Sequence, residues 1–191
     1  LTTVTVTTST AVVEVIPPAS ATVTTSGAAT ATVISGAPVF YAGSFEDSTT
    51  QASAGTAAAN LVTMNRSSFS QGVSLVDGSK VTFTNAGTYL YSFLGQFAFT
   101  GGASNYNITV WIAKNGTIQA DSAFTFTTTS AQASQILGNV KDIITLNAGD
   151  FLQFYWWSPA AGMALTPTAT GSNPTRPASP SVNVNVFNVA G

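Results

Sequence analysis

The sequence contains neither cysteine nor histidine, and charge is scarce: five basic and seven acidic side chains make up 6% of the 191 residues. The first two absences remove Ser-His-Asp and Cys-His pairs, zinc sites of the usual ligand types, disulfides and thiol redox centres. The third removes a nucleic-acid surface, because affinity for a phosphate backbone needs clustered Lys and Arg. Arg66, Lys80, Lys114, Lys141 and Arg176 instead stand singly, in a chain of net charge −2 and pI ≈ 4.6. Hydrophobic residues make up 45%, yet no run approaches the roughly 20 apolar residues of a membrane-spanning helix. No charged n-region followed by an apolar h-region opens the sequence, so targeting gives no localisation. The expectation is a soluble protein that is not an enzyme, with no metal, cofactor, nucleic-acid or membrane partner.

The few carboxylates do not alter that expectation. Glu46-Asp47 is the only adjacent acidic pair, and neither an EF-hand loop nor a glycine-aspartate repeat is present to gather oxygen ligands around calcium. Asp77-Gly78 and Gly149-Asp150 read as turns in which the Asp side chain bonds nearby backbone amides. A glycosidase would need two opposed carboxylates, for which Glu46 and Asp121 are candidates by count alone, with nothing around them that singles them out. The sequons at Asn65, Asn107 and Asn115 are unremarkable in a chain so rich in Asn and Thr and receive no function.

Aromatic residues are also missing from the first 38 positions: all 20 of them lie at or beyond Phe40. This leader (residues 1–38) is almost entirely Thr, Val, Ala, Ser, Gly and Pro. Within it, residues 5–15 (TVTTSTAVVEV) and 22–33 (TVTTSGAATATV) form a loose duplication around Ile16-Pro17-Pro18. Thr and Val make both halves β-prone, whereas the proline pair blocks continuous pairing between them. Ordering such a segment costs about 1 kcal/mol per residue or more in backbone entropy, so it must dock or stay loose. Two readings fit: a flexible Ser/Thr linker, or an extended arm that adds strands to a neighbouring surface by main-chain pairing. The β-propensity favours the arm.

From Phe40 onward short β-like runs alternate with turn signals, and no helical period is sustained. Lys80–Phe83 alternates cleanly before the Asn85-Ala86-Gly87 turn. Tyr89, Tyr91, Phe93, Phe97 and Phe99 then share one strand face, with Gly95 reading as a bulge. Ile108, Val110 and Ile112 oppose Thr109 and Trp111 ahead of Asn115-Gly116, a strong hairpin signal leading to residues 123–127. A polar loop over 128–134 precedes the run 136–146. In the next run Leu152, Phe154 and Trp156 oppose Phe151, Tyr155 and Trp157, which marks a strand central in two layers or buried in a subunit interface. Five prolines between residues 158 and 180 predict a long surface loop rather than a central strand. Val182, Val184 and Val186 then form one buried face of a terminal strand. The fold class is all-β: a jelly-roll sandwich of about eight to ten antiparallel strands over residues 39–191, behind the arm.

Three landmarks in order, Gly87-Thr88-Tyr89-Leu90-Tyr91-Ser92-Phe93, Trp111-Ile112-Ala113-Lys114-Asn115-Gly116 and Leu146-Asn147-Ala148-Gly149-Asp150-Phe151, resemble the tumour necrosis factor and complement globular-head superfamily. Gly72-Val73-Ser74-Leu75 and the Pro174-Thr175-Arg176-Pro177-Ala178-Ser179-Pro180-Ser181-Val182 stretch resemble most the small jelly-roll structural proteins of tailed bacteriophages. The resemblance implies a homotrimer on the outer surface of a virion. The expected role is a capsid decoration (cement) protein whose arm meets the major capsid protein or another virion protein. The resemblance also implies that Tyr89, Tyr91, Phe151, Tyr155 and Trp157 form the trimer interface. The alternative is a receptor-binding head or fibre tip, with Trp111 as a stacking platform for a host glycan.

Overall fold

The computed structural model describes residues 2–6, 10–15, 21–25, 30–35, 40–99, 106–127 and 136–190, the first four segments by their backbone alone. Every regular element among them is a strand. The expected polar loop at 128–134 and the Pro17-Pro18 break lie outside these residues.

Two compact units are present, Leu1–Phe40 and Tyr41–Gly191. In the first, β1 (Thr2–Val6) and β3 (Ala21–Thr25) form a two-stranded parallel sheet, and β2 (Thr10–Val15) and β4 (Thr30–Ser35) form another. The first half of the leader thus pairs in parallel with the second, but in a register that sets Thr22 opposite Thr3 rather than opposite Thr5, the position it matches in the duplication read from sequence.

The second unit opens with β5 (Ala42–Asp47), β6 (Gln51–Ala52), β7 (Asn60–Leu61), β8 (Arg66–Gln71), β9 (Val73–Val76) and β10 (Lys80–Phe83). The long β11 (Gly87–Phe99) follows, then β12 (Asn107–Lys114), β13 (Thr117–Ile118), β14 (Phe124–Thr127), β15 (Ile136–Leu146) and β16 (Phe151–Trp157). β17 (Met163–Leu165), β18 (Gly171–Ser172), β19 (Thr175–Arg176) and β20 (Val182–Ala190) complete it. Two antiparallel sheets of seven strands each result. One runs β13-β12-β16-β10-β9 with β14 and β7 at its flanks, the other β6-β17-β11-β20-β5-β8 with β15 beside β11. The chain changes sheet between β6 and β7, β7 and β8, β8 and β9, β10 and β11, β11 and β12, β14 and β15, β15 and β16, and β16 and β17, while the first long strand β5 pairs with the last, β20. That crossing pattern makes the sandwich a jelly roll. Ten of its strands have four or more residues, matching the expected eight to ten.

Alternation decides what lies between the sheets. β11 sends Tyr89, Tyr91, Phe93 and Phe97 inward, β16 sends Leu152, Phe154 and Trp156, and all seven are at most 1% exposed. Their rings interlock: Phe93 and Tyr91 approach Phe154 with centroids 5.9 and 5.8 Å apart, and Phe97 meets Trp156 edge-on at 5.4 Å. Ile108, Val110 and Ile112 of β12 and Val182, Val184 and Val186 of β20 close the layer.

Three local expectations change. Gly95 is not a bulge, since its pairings with Gly138 and Val182 run in register; the irregularity falls between Thr88 and Tyr89. A Cβ at Gly95 would stand 2.9 Å from the Phe93 ring and from Leu165, so the glycine makes room for their packing. The proline-rich stretch does contain a short inner strand: β17 pairs with β11 and buries Met163 and Leu165. The Asn115-Gly116 turn, with φ of 52° and 79°, returns the chain first to β13 and only then to β14. Gly95→Ala is expected to cost about 1–3 kcal/mol by overpacking. It should lower the urea midpoint without changing the slope, and an unchanged midpoint would contradict the packing account.

Candidate interaction surface

The residues expected at a subunit interface divide between core and surface. Tyr89 and Tyr91 are 0% and 1% exposed inside the sandwich, so neither reaches a neighbouring molecule. This corrects the expectation. Both tyrosines belong to the inward face of β11, and an alternating pattern assigns residues to one face without stating which way that face points. The Tyr89 hydroxyl donates to the Asn85 carbonyl at 2.9 Å, and burial raises its pKa first, with a smaller contribution from Tyr41. The Tyr91 pKa is pushed up to about 12, by burial first and then by the Asp142 charge. Its hydroxyl has no hydrogen-bond partner among the described residues.

Phe151, Tyr155 and Trp157 do point outward from β16, where each is half-buried. Register sets Trp111 of β12 directly beside Tyr155, with rings 11° from parallel and centroids 5.9 Å apart. The Trp157 indole N–H donates to the Thr56 carbonyl at 2.7 Å, and the Lys80 ammonium stands 5.6 Å over the Phe151 ring. The Trp111 indole N–H is buried without an acceptor among the described residues. This sheet therefore carries an aromatic strip partly covered by its own neighbours.

The outward face of the other sheet carries the apolar residues that sequence reasoning missed. Leu137 and Ile143 of β15 are each 58% exposed, and Val189 of β20 is 52% exposed. Register places Ile143 beside Leu90 and Leu137 beside Gln96, with Leu94 between them on β11. Leu94, Leu137 and Pro180 border a shallow depression of about 250 Å³ with Gln96, Ser179 and Asn183. Gln96 anchors the adjoining loop there: its amide nitrogen donates to the Ser179 hydroxyl at 2.7 Å and to the Pro180 carbonyl, and its amide oxygen accepts from Thr168 at 3.2 Å. The signal available in the sequence was the apolar character of Leu137 and Ile143 on the odd-numbered face of β15, opposite Val140 and Leu146.

The remaining polar groups are structural. Glu46 accepts from Arg66 at 2.9 Å beside a groove of about 330 Å³ that no second carboxylate lines. Asp121 lies in the connection between β13 and β14, in the other sheet. Among the described residues no three acidic side chains gather to hold a metal ion. Asp150 ties two turns together. It accepts from Asn115 and from the Asn147 N–H at 2.7 Å each, and Lys114 stands 2.9 Å away. These partners, the Asn115 bond first, hold its pKa down at about 2.

No protein-family model and no curated protein matches the sequence. Among solved structures, the chain is similar to the globular domain of zebrafish complement 1qA protein at 14% identity and TM-score 0.48, over 78% of this chain and 96% of that one. It is also similar to murine APRIL at 10% identity and TM-score 0.47, over 79% of this chain and 100% of that one.

Two measurements check this description. The folded Asp150 pKa lies below the ordinary 3.8, so its contribution is complete above that value and is lost as pH falls through about 2. The stability difference between wild type and Asp150→Asn, about 2 kcal/mol at pH 7, should therefore shrink towards zero in acid; a pH-independent difference would contradict it. Tyr91→Phe removes a hydroxyl with no partner and is expected to leave stability unchanged or raise it by about 1 kcal/mol in denaturant titration. A loss of about 2 kcal/mol would reveal a partner.

Proposed function

We propose that this chain is a structural protein of a virion, a homotrimeric capsid decoration protein that meets the shell through its leader. The observation that carries self-association is the outward face of the β11 sheet, where Leu90, Leu94, Leu137 and Ile143 line adjoining strands with Leu137 and Ile143 mostly exposed. Exposed apolar clusters of this kind, here Leu90 with Ile143 and Leu94 with Leu137 on either side of the Ser92–Lys141 pair, are stabilised by covering. It replaces the interface expected from sequence, since Tyr89 and Tyr91 serve the core. The virion setting rests on the resemblance carried by residues 72–75, 87–93, 111–116, 146–151 and 174–182. Supporting it are the scarcity of charge and the absence of His and Cys, which suit a passive shell component better than a catalyst.

A second reading has its own observation. The Trp111–Tyr155 pair on the opposite sheet is an aromatic platform of the type that stacks on sugar rings, which fits a receptor-binding head or fibre tip. The two readings separate on a glycan array, where decoration predicts no binding and receptor recognition predicts binding lost in Trp111→Ala.

Light scattering of the Tyr41–Gly191 unit alone should give about three times its own chain mass, and Leu137→Lys combined with Ile143→Lys should reduce it to a folded monomer. A trimer that persists in that variant would contradict the assigned face. On purified particles carrying the protein, gold-tagged antibody against residues 39–191 should spread over the head. Gold at the tail tip would favour the second reading, and protein absent from particles would contradict both.

A further inference from the structure

The leader carries an interaction surface of its own. Its two units pair in parallel, with Thr2 opposite Ala21 and Thr10 opposite Thr30, so the second unit repeats the first after 19 residues in one sheet and 20 in the other. The pairing is largely like on like. Thr3 lies opposite Thr22, Val4 opposite Val23, Thr5 opposite Thr24, Thr10 opposite Thr30, Ala11 opposite Ala31 and Val13 opposite Val33, six of the eleven register pairs. Among the described residues each of these four strands has one partner and one open edge.

Such edges ordinarily carry safeguards against pairing with another chain: lysines, prolines, bulges or a covering element. Here the four strands read TTVTV, TAVVEV, ATVTT and TATVIS, with Glu14 the one charged residue and no proline. Their registers run without a bulge. Parallel sheets are seldom stable as two strands alone, and stacked repeats generally need three or more units to hold together. The two units present therefore make an incomplete stack. The step that carries the first unit onto the second also defines what fits each open edge: another Thr/Val unit of the same period, parallel and in register.

We infer that the leader is a self-stacking module, in which the open edge of the second unit in one copy pairs with the open edge of the first unit in a second copy. The contact is head-to-tail, so each copy uses two different edges and the pairing can extend from molecule to molecule. It repeats the intrachain ladder and brings Thr22 of one copy beside Thr3 of the next at the inter-strand spacing of about 4.8 Å. This inference goes beyond the location and role proposed above and stands whether the protein decorates a head or tips a fibre.

The chain lacks cysteine, so nitroxide labels can be placed without background. Full-length Thr3→Cys and Thr22→Cys proteins, labelled separately and refolded together, should show strong dipolar broadening in continuous-wave spectra. The broadening should vanish on dilution with excess unlabelled protein. The doubly substituted chain, diluted the same way, should stay broadened because its two labels sit at paired register positions of one leader. A sharp spectrum from the mixture beside a broadened diluted double variant would overturn stacking between copies. A sharp spectrum from the diluted double variant would overturn the repeat itself. Broadening as strong in Thr3→Cys alone would also overturn the head-to-tail register, because like positions should be two steps, about 10 Å, apart.

Discussion

The packing of β11 against β16 is the constraint from which the rest of the sandwich follows. Phe93 and Tyr91 meet Phe154, and Phe97 meets Trp156, across the space between the two sheets. Aromatic pairs at such separations add about 0.5–1.5 kcal/mol each beyond the area they bury. Once these rings face inward, the period of two sends Leu90, Leu94 and Gln96 to one exterior and Phe151, Tyr155 and Trp157 to the other. A slip of one residue in β11 would exchange core and surface along the strand. Both exteriors, and so both candidate interaction surfaces, are consequences of how the interior is filled.

Small residues and turn chemistry let that packing close. Gly95 and Gly138 sit opposite each other in β11 and β15, where the Phe93 and Phe97 rings occupy the space that Cβ atoms would need. At the end of the sandwich, Asp150 joins the Asn115 turn to the Asn147 turn and sits beside Lys114. Gln96 fastens the proline-rich loop to the outside of the other sheet. Asp150 and Gln96 thus hold loops and turns, while other charges stand on the strands, as in the Glu46–Arg66 pair between β5 and β8.

Much of this was legible in the residues themselves. The alternation of Tyr89 to Phe97, of Ile108 to Ile112 and of Val182 to Val186 marks strands and their shared faces, and Asn115-Gly116 marks a hairpin turn. The orientation of those faces was less accessible where both sides of a strand are apolar. Tyr89 and Tyr91 read as interface residues for that reason, while Leu137 and Ile143, which do reach the surface, passed unremarked. β17 was hidden by surrounding prolines, because Met163-Ala164-Leu165 is too short to show a period and owes its place to pairing with β11. The leader's duplication was visible, but its parallel pairing joins residues 19 and 20 positions apart, a separation at which sequence pattern does not determine register.

The central claim is that jelly-roll units of this chain meet through the outward face of the β11 sheet rather than through the aromatic strip on the other sheet. Carbene footprinting of the full chain, below and above the concentration at which it associates, reads both faces in one experiment. The account predicts that Leu137 and Ile143 lose labelling on association while Trp111 and Tyr155 keep theirs. Protection of Trp111 and Tyr155 with Leu137 and Ile143 unchanged would contradict it.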